Sequence, residues 1–307
     1  MRYTTESIPD LTGQTAVVTG ANGGLGLETA KALASKGAHV VMAVRNQDKA
    51  ERAVDEIRVD TPDASLELVE LDLASQESVT LAAKTILADH EHIDILVNNA
   101  GLMALPERQT ADGYEMQFGV NHLGHWTLTS LLMPAIVAAP SARVVTVTST
   151  AHHMGRTVDP DNPHLGGKYS PWGAYGQSKL ANYHFGLGLQ REFENAGVAA
   201  QSLIAHPGLS HSDLQVHTAA EGGAGWTGPF FALMAKYTGM STSKGSLPQL
   251  RAATDPAAKG GEFYGPRFVN NGPPVRLPIL RPGADDAIKV LWQVSEAETG
   301  VPLHVQS

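Results

Sequence analysis

Tyr175 and Lys179 are the residues whose types and spacing first suggest chemistry. Four positions apart on a predicted helix, they share one face, which brings a phenol and an ammonium together. A free phenol has a pKa of about 10 and is a poor base, but a fixed positive charge favours the phenolate and lets the group exchange protons. Ser149 ends a run of β-branched residues and could hydrogen-bond an oxygen that gains negative charge. The Tyr–Lys spacing alone is a weak signal among seven tyrosines, so the prediction depends on the combination with Ser149 and with the turn described next.

A glycine-rich turn lies between a predicted strand and a predicted helix in residues 14–36. Such a turn leaves unpaired N–H groups at a helix N-terminus, where the helix dipole also favours a pyrophosphate. Glycine permits both the turn and the close approach of phosphates. We therefore expect a dinucleotide to bind at Gly20, Asn22, Gly24, Leu25 and Gly26. The glycines fit both TGxxxGxG and GxxGxxG, which leaves two branches of one superfamily open at this point.

The end of the second predicted strand indicates which dinucleotide binds. An acidic residue about 20 residues past the turn would bind the adenosine ribose hydroxyls of NAD, but this chain has Val44 and Arg45 there. A guanidinium pairs with a 2′-phosphate through its planar fork, so we predict NADP(H) rather than NAD(H). The alternative is a surface arginine before a helix that Asn46 caps. Asp72, followed by Leu73, ends the third strand and would contact the adenine or cap the next helix.

Further residues near strand ends are candidates for ligand contact. They are Asn99, Ala100 and Gly101 in the NNAG turn after the fourth strand, and Pro207 and Gly208 in the HPG turn after the sixth. Asn121 lies among apolar residues of a long predicted helix. Because a buried amide needs hydrogen-bond partners, Asn121 is either a structural link or part of a site.

Strands and helices alternate along the chain, and this alternation predicts an α/β fold. Helices follow the first five strands, and the predicted helix over 110–137 breaks near Pro134. A short seventh strand is expected at 261–265. We predict a doubly wound, mainly parallel Rossmann-type sheet of about seven strands with helices on both faces. The first six strands are expected at 16–18, 38–44, 66–71, 93–97, 143–148 and 198–205.

Composition favours one domain over residues 1–307, because 42% hydrophobic residues are enough for a sizeable core. A stretch rich in Pro, Gly, Asp and Asn at about 156–172 predicts an insertion loop. Residues 209–250 are expected to form a substrate lid, since an apolar helix at 229–234 is preceded by glycines. That helix could equally be core or a subunit contact.

The charge pattern limits the partners. A net charge of −9 without a basic cluster argues against nucleic acid and anionic membranes. The polar first 13 residues do not form a signal peptide. Since no apolar run reaches about 18 residues, we expect no membrane anchor. The absence of cysteine is compatible with the cytoplasm, and a homo-oligomer is left open.

These motifs together resemble the single-domain branch of the short-chain dehydrogenase/reductase family. The resemblance covers residues from about 14 to 210 and rests on TGANGGLG, NNAG, GVNHLGH, TSTAHH, AYGQSK and HPG. NNAG and the compact length favour TGxxxGxG. The segments GVNHLGH and SKLAN are similar to those of the retinol dehydrogenase and WW-domain oxidoreductase group.

The resemblance implies an NADP(H)-dependent oxidoreductase that interconverts an apolar carbonyl compound and its alcohol. Tyr175 would be the acid and base, and Ser149 would bind the substrate oxygen. The family pattern further implies that Lys179 holds the nicotinamide ribose and that Asn121 anchors a proton-relaying water. The absence of cysteine makes protochlorophyllide reduction an unlikely activity, because those relatives use a cysteine near the site.

The sequence is also compatible with other functions. A non-catalytic NADP(H)-binding sensor or scaffold is one alternative, and a nucleotide-sugar epimerase or dehydratase is another that the alternative glycine spacing favours. We expect no metal site. The adjacent His152 and His153 would point to opposite sides of any strand, so a structural role is favoured for them.

Overall fold

A computed structural model describes residues 3–209, 240–280 and 284–306. These residues form one eight-stranded sheet in the order β3-β2-β1-β4-β5-β6-β7-β8. All neighbouring strands from β3 to β7 run parallel, and β8 pairs antiparallel with β7. The strands are β1 (Thr15–Thr19), β2 (His39–Val44), β3 (Leu66–Glu70), β4 (Ile95–Asn98), β5 (Arg143–Val147), β6 (Gln201–Ala205), β7 (Phe263–Pro266) and β8 (Pro274–Leu277).

The predicted doubly wound, mainly parallel sheet is confirmed. The strand β8 is an addition to the prediction, because four residues that begin with proline carry no recognisable strand pattern. Its first residue, Pro274, pairs with Pro266 of β7. The exposed Arg276 side chain donates to Glu262 at 2.8 Å.

Helices cover both faces of the sheet. One of them begins at the capping residue that the sequence suggests: Asn46 accepts from the Lys49 N–H at 2.8 Å. Another begins at Ser75, whose side chain accepts from the Ser78 N–H at 3.2 Å. The longer described helices are α1 (Gly24–Ala34), α2 (Gln47–Asp60), α3 (Gln76–Asp89), α4 (Gly124–Ala138), α5 (Pro171–Ala196), α6 (Leu247–Thr254) and α7 (Ala284–Thr299).

The helix predicted over 110–137 begins later, and the predicted break at Pro134 is wrong. A short turn, Met116–Phe118, leads into a π-helical turn, Gly119–Leu123, and α4 then continues through Pro134 to Ala138. Proline removes one helical hydrogen bond, but the buried Leu132 and Ile136 on either side keep this part of the helix packed. The irregular turn is the π-helical one, which contains Asn121.

Strand alternation divides the core into two layers. Val17, Val41 and Leu96 point to the layer that contains α3, α4, α5 and α7. Val18 and Met42 point to the opposite layer, which contains α1, α2 and α6. Because buried strands of a parallel sheet are covered on both sides, their sequences are continuously apolar rather than alternating.

The order of the strands creates a crevice between β1 and β4. The chain proceeds outward from β1 through β2 to β3, and then outward in the other direction from β4. Ligands of open α/β sheets bind at such a switch point, outside the carboxyl ends of the strands. The glycine-rich turn follows β1 and the NNAG turn follows β4, so both lie at this crevice.

The predicted loop and lid are described in part. Residues 156–170 form turns and coil, and Pro171 already begins α5. Within this loop the Tyr169 hydroxyl donates to the Leu105 carbonyl at 2.7 Å. Most of the predicted lid, residues 210–239, lies outside the described residues. None of the described helices combines the length and hydropathy that a membrane crossing requires.

Candidate active site

The glycine-rich turn has the backbone geometry that only glycine tolerates well at two positions. Gly20 has φ of 68° and Gly24 has φ of 52°, both in the left-handed region. A Cβ at Gly26 would lie 2.2 Å from the Gly20 carbonyl oxygen. Gly23, with φ of 179°, is in extended backbone that any residue adopts. The required glycines are therefore 20, 24 and 26, which is the TGxxxGxG spacing.

The N-terminus of α1 is open to a ligand. Its N-cap Gly23 has no side chain to cap the helix. The first N–H with a backbone acceptor inside the helix is that of Leu27, which donates to the Gly23 carbonyl at 3.1 Å. The N–H groups of Gly24, Leu25 and Gly26 are thus available for an anionic group.

The Thr19 hydroxyl joins the two turns at the crevice. It accepts from the N–H groups of Asn99 at 2.9 Å and Ala100 at 3.0 Å. The Asn99 amide in turn donates to the Thr19 carbonyl at 2.8 Å. On the other side, Gln249 of α6 donates to Asn99 at 3.1 Å. The NNAG turn is therefore held against the end of β1 by side chains rather than by sheet hydrogen bonds.

His125 extends this link to the π-helical turn. Its Nδ1 lies 3.0 Å from the Asn121 carbonyl oxygen, and its Nε2 lies 2.9 Å from the Thr19 hydroxyl. A carbonyl oxygen only accepts, so Nδ1 carries the proton. Burial lowers the pKa of His125 to about 4. The ring is then neutral, so its Nε2 accepts from the Thr19 hydroxyl. The oxygen of the same hydroxyl accepts from the N–H groups of Asn99 and Ala100.

Ser149, Tyr175 and Lys179 come together at the carboxyl end of β5. The Ser149 side chain lies near enough to the Tyr175 hydroxyl to lower its pKa. The Lys179 Nζ lies 5.9 Å from the centre of the Tyr175 ring and donates to the Val147 carbonyl at 3.3 Å. Lys179 is only 4% exposed. Because an ammonium has three donors and Val147 takes one, the described residues leave Lys179 able to donate to a ligand.

Burial dominates the acidities in this site. It raises the pKa of Tyr175 to about 12, against a smaller lowering by the Ser149 side chain. It also lowers the pKa of Lys179 to about 8, since the charged form is desolvated. The shift at Tyr175 is opposite to the one that the Tyr–Lys pair alone predicts. The reason is that desolvation outweighs the effect of an ammonium that does not contact the hydroxyl.

The Asn121 amide is a structural link between two elements. Its oxygen accepts from the Leu102 N–H at 2.7 Å, and its nitrogen donates to the Leu102 carbonyl at 2.9 Å and to the Ser178 hydroxyl at 2.8 Å. A Cβ at Gly101 would lie 2.9 Å from the Asn121 Oδ1 and 3.3 Å from the Lys179 Nζ. Both N–H donors of the amide are therefore used inside the protein. A water bound at Asn121 would have to donate a hydrogen bond to an oxygen atom of Asn121.

Arg45 is exposed immediately after β2. Its guanidinium has no hydrogen bond or ion pair with any residue in the described part of the chain. The neighbouring Asn22 side chain donates to the Asn46 carbonyl at 3.3 Å, which ties the glycine-rich turn to the start of α2. Arg45 and Asn22 thus lie at adjoining positions on the rim of the crevice.

Asp72 and Leu73 differ in their surroundings. The Asp72 carboxylate accepts from the Ala74 N–H at 3.0 Å, whereas Ser75 is the residue that caps α3. The alternative that Asp72 caps this helix is therefore wrong. Leu73 is buried in the core, and its carbonyl oxygen would lie 2.7 Å from a Cβ at Gly124.

The HPG turn after β6 is held by a buried histidine. The Gly208 N–H donates to His206 Nδ1 at 3.1 Å, and Gly208 has φ of 71°. Pro207 between them is half-buried. A Cβ at Gly208 would lie 2.6 Å from the Asn270 carbonyl oxygen.

The adjacent His152 and His153 lie in a 3-10 turn, Thr150–His153, rather than on a strand. Their ring centres are 4.0 Å apart, so the expectation that they point to opposite sides is wrong. His152 stacks on Tyr183 with an interplanar angle of 4°. Its Nδ1 also contacts the Ser149 carbonyl at 2.5 Å.

Several residues that position this site were not identified from the sequence. Thr19 belongs to the TGxxxGxG motif, and His125 stands four residues after Asn121 on a helical segment, so a signal was present for both. Ser178 and Gln249 carry no comparable signal, because their roles depend on the packing of α5 and α6 against the crevice.

Comparisons with known proteins identify the family of this chain. The family model described as short chain dehydrogenase matches residues 14–221. The chain belongs to this short-chain dehydrogenase family. It is 35% identical over 292 residues to "Retinol dehydrogenase 13" of Homo sapiens, which covers 94% of this chain and 85% of that protein. Members of the family are oxidoreductases that use a nicotinamide cofactor, and this chain is an oxidoreductase of that family.

Two crystal structures are similar to this short-chain dehydrogenase. An uncharacterized protein from Mycobacterium Paratuberculosis has a TM-score of 0.79 and 38% identity, with 99% of each chain covered. A protein from Beutenbergia cavernae, named for NAD(P) dependent gluconate 5-dehydrogenase activity, has a TM-score of 0.63 and 27% identity. That comparison covers 81% of this chain and 92% of the other, which holds NADP at low occupancy.

Three buried histidines make the stability of this dehydrogenase depend on pH. Burial lowers the pKa of His122 to about 3, of His125 to about 4 and of His206 to about 3. Their ordinary pKa is 6.5, so unfolding takes up protons below that pH. The stabilisation is complete above pH 6.5 and is lost as the pH falls toward 4.

We predict that these histidines make the free energy of unfolding about 4 kcal/mol smaller at pH 5.5 than at pH 7. Urea titrations at the two pH values measure the difference. The variant His122→Phe removes one of the three groups and should reduce the difference by about a third. A free energy of unfolding that is the same at both pH values would contradict the assignment.

We also predict that His125→Phe weakens dinucleotide binding, because the Thr19 hydroxyl and the Asn121 carbonyl both lose their partner. The free energy of unfolding should fall by about 1–3 kcal/mol, and the affinity for NADPH by about tenfold. Urea titration and the fluorescence of bound NADPH measure the two effects.

The matched control is His122→Phe, because His122 is equally buried but its Nε2 contacts the Ser295 hydroxyl of α7 instead of Thr19. We expect this variant to lose stability and to keep its affinity for NADPH. An equal loss of affinity in the two variants would show that His125 has no special link to the crevice.

Proposed function

We propose that this short-chain dehydrogenase is NADP(H)-dependent and interconverts an apolar carbonyl compound and its alcohol by hydride transfer. The observation that carries the proposal is the convergence of Ser149, Tyr175 and Lys179 at the crevice, where Ser149 acts on the Tyr175 hydroxyl and the Lys179 Nζ lies 5.9 Å from the Tyr175 ring centre. Hydride transfer to a carbonyl carbon needs a proton source and a partner for the developing oxyanion. Tyr175 and Ser149 are groups of these two kinds.

The residues at the crevice fit an NADP molecule. The N–H groups of Gly24, Leu25 and Gly26 would bind its pyrophosphate, and Arg45 its 2′-phosphate. Asn22 and Asp72 would flank its adenosine end. Further contacts are proposed for Gly20, Leu73, Asn99, Ala100, Gly101, Pro207 and Gly208. When bound, the cofactor supplies or accepts the hydride.

Lys179 would donate to the nicotinamide ribose. Its burial and its single described acceptor, the Val147 carbonyl, support this role. A buried ammonium with unused donors is unfavourable until a polar ligand accepts from it. Asn121 is proposed to anchor a proton-relaying water that donates to an oxygen atom of Asn121, since its amide N–H donors are used by Leu102 and Ser178.

Tyr175 would exchange the proton with the substrate oxygen. Its pKa of about 12 in the protein alone makes it an acid in the reduction of a carbonyl, where it donates and Ser149 stabilises the oxygen. In the alcohol oxidation the phenolate is required, and the positive charge of an oxidised nicotinamide would favour it. The reduction is therefore the direction for which the isolated chain is better prepared at neutral pH.

The substrate class rests on a relative. The Homo sapiens protein that is 35% identical carries the name retinol dehydrogenase, and retinol is an apolar alcohol. We propose a small apolar carbonyl or alcohol for this chain. A lid over 209–250, a cytoplasmic location and a homo-oligomeric state stay predictions.

We predict that Tyr175→Phe lowers turnover by about 10²–10⁴-fold, because proton transfer loses its donor. The affinity for NADPH should be unchanged, since Phe keeps the ring and Lys179 is intact. The assay follows NADPH oxidation against a panel of apolar aldehydes and ketones, and fluorescence titration measures binding.

Tyr114→Phe is the matched control, because Tyr114 is also buried and its hydroxyl donates only to the Glu298 carbonyl among described groups. Equal turnover by wild type and Tyr175→Phe would remove Tyr175 from its role. Tight NADPH binding without turnover by the wild type would favour the non-catalytic sensor.

We predict that Arg45→Ala raises the KM for NADPH by about 10–100-fold, because a charge-assisted pair with the 2′-phosphate is lost. The KM for NADH should change little, since that cofactor has no 2′-phosphate. Arg58→Ala, at an exposed arginine in the last turn of α2, is the control. A parallel rise for both cofactors would contradict the role of Arg45.

A further inference from the structure

Two histidines and a glutamate meet at the amino ends of β2 and β3, at the end of the sheet opposite to the cofactor crevice. The Glu67 Oε2 lies 3.3 Å from His39 Nε2 and 2.7 Å from His90 Nε2. The three potential ligand atoms all lie within 4.8 Å of one another. We call His39, Glu67 and His90 the His–Glu–His cluster.

The register of the sheet explains why these residues meet. Val41 pairs with Glu67 in the parallel ladder, and His39 lies two residues before Val41 on the same face. Both side chains therefore project on the side where Val41 packs under α3. His90 is the C-cap of α3 and stands over the first residues of β2 and β3.

The hydrogen bonds around the cluster orient one imidazole. The Nδ1 of His39 lies 2.7 Å from the Ser65 hydroxyl, which leaves its Nε2 facing Glu67. A ligating histidine commonly bonds its second nitrogen to such a group, which fixes the ring and its tautomer. Ser65 precedes β3 and lies beside His39 in the same ladder.

We propose that the His–Glu–His cluster binds a zinc-type divalent cation. Two imidazole nitrogens and one carboxylate oxygen are a donor set that Zn²⁺ prefers, whereas Mg²⁺ and Ca²⁺ prefer oxygen alone. In a tetrahedral zinc site, ligand atoms at the usual bond lengths lie about 3.3 Å apart. The Glu67 Oε2 lies 3.3 Å and 2.7 Å from the two histidine nitrogens, which is close to this separation, and those two nitrogens lie within 4.8 Å of each other.

The partial exposure of the cluster suits a fourth ligand from solvent. The side chains of His39, Glu67 and His90 are 30%, 24% and 13% exposed. A cation here would join β2, β3 and the C-terminal end of α3, far from the carboxyl ends of the strands. Its role would be structural, and it takes no part in the proposed hydride transfer.

This inference departs from the sequence-based expectation of no metal site. Glu67 follows His39 by 28 residues in the chain, and His90 follows Glu67 by 23 residues. They do not form a short ligand motif, and only the strand register and the packing of α3 bring them together.

The test measures Zn²⁺ binding by calorimetry on the tag-free, EDTA-treated full chain, with Mg²⁺ as the control ion. We expect His90→Gln and Glu67→Gln each to weaken Zn²⁺ binding at this site more than about tenfold, because each removes a ligand. Zn²⁺ should raise the thermal unfolding midpoint of the wild type and not of these variants, since it binds the folded chain. Thermal unfolding in EDTA checks that each variant is folded.

His92→Gln is the matched control, because His92 is an exposed histidine two residues from His90 and outside the cluster. It should bind Zn²⁺ as the wild type does. The proposal is overturned if the wild type does not bind Zn²⁺, or if both ligand variants bind it as tightly as His92→Gln. Neither result bears on the proposed dehydrogenase activity, because that activity depends on residues at the opposite end of the sheet and has its own tests.

Discussion

The structure depends on how the ends of β1 and β4 are held together. Sheet hydrogen bonds end with the strands, so the turns beyond them need other partners. The Thr19 hydroxyl supplies them: it accepts from two N–H groups of the NNAG turn and donates to His125. His125 then donates to Asn121. One hydroxyl and one imidazole thereby join the glycine-rich turn, the NNAG turn and the π-helical turn around the crevice.

Burial sets the electrostatic character of this region. Tyr175, Lys179 and His125 all have pKa values shifted toward their neutral forms. A buried charge is costly without a partner, so a polar cofactor that accepts from Lys179 would reduce the cost of burying its ammonium. The hydrogen bonds also require the neutral form of His125. A second ring proton, on Nε2, would point at the Thr19 hydroxyl oxygen, which already accepts from two N–H groups. The same desolvation thus keeps the Tyr175 phenol protonated and preserves the supporting contacts.

Local patterns predicted most of the architecture. The strands, the glycine-rich turn and the cap Asn46 follow from residues adjacent in sequence, so they were predictable. The cap of α3 is Ser75 rather than Asp72, because the helix begins at Gln76. The π-helical turn was not, because the pattern directed attention to Pro134. The roles of Gln249 and of the His–Glu–His cluster depend on which elements become neighbours. The direction of the Tyr175 pKa shift also needed the depth of burial, which spacing does not report.

The antiparallel strand β8 has a consequence for association between copies. An open parallel sheet presents unpaired N–H and C=O groups along its outer strand, and these can template further strands or aggregation. Here the outermost strand is four residues long, begins with Pro274 and carries the charged Arg276. Proline offers no N–H, and a salt-bridged guanidinium is costly to strip of water. On this side of the sheet, strand-to-strand pairing between two copies of the chain is therefore disfavoured.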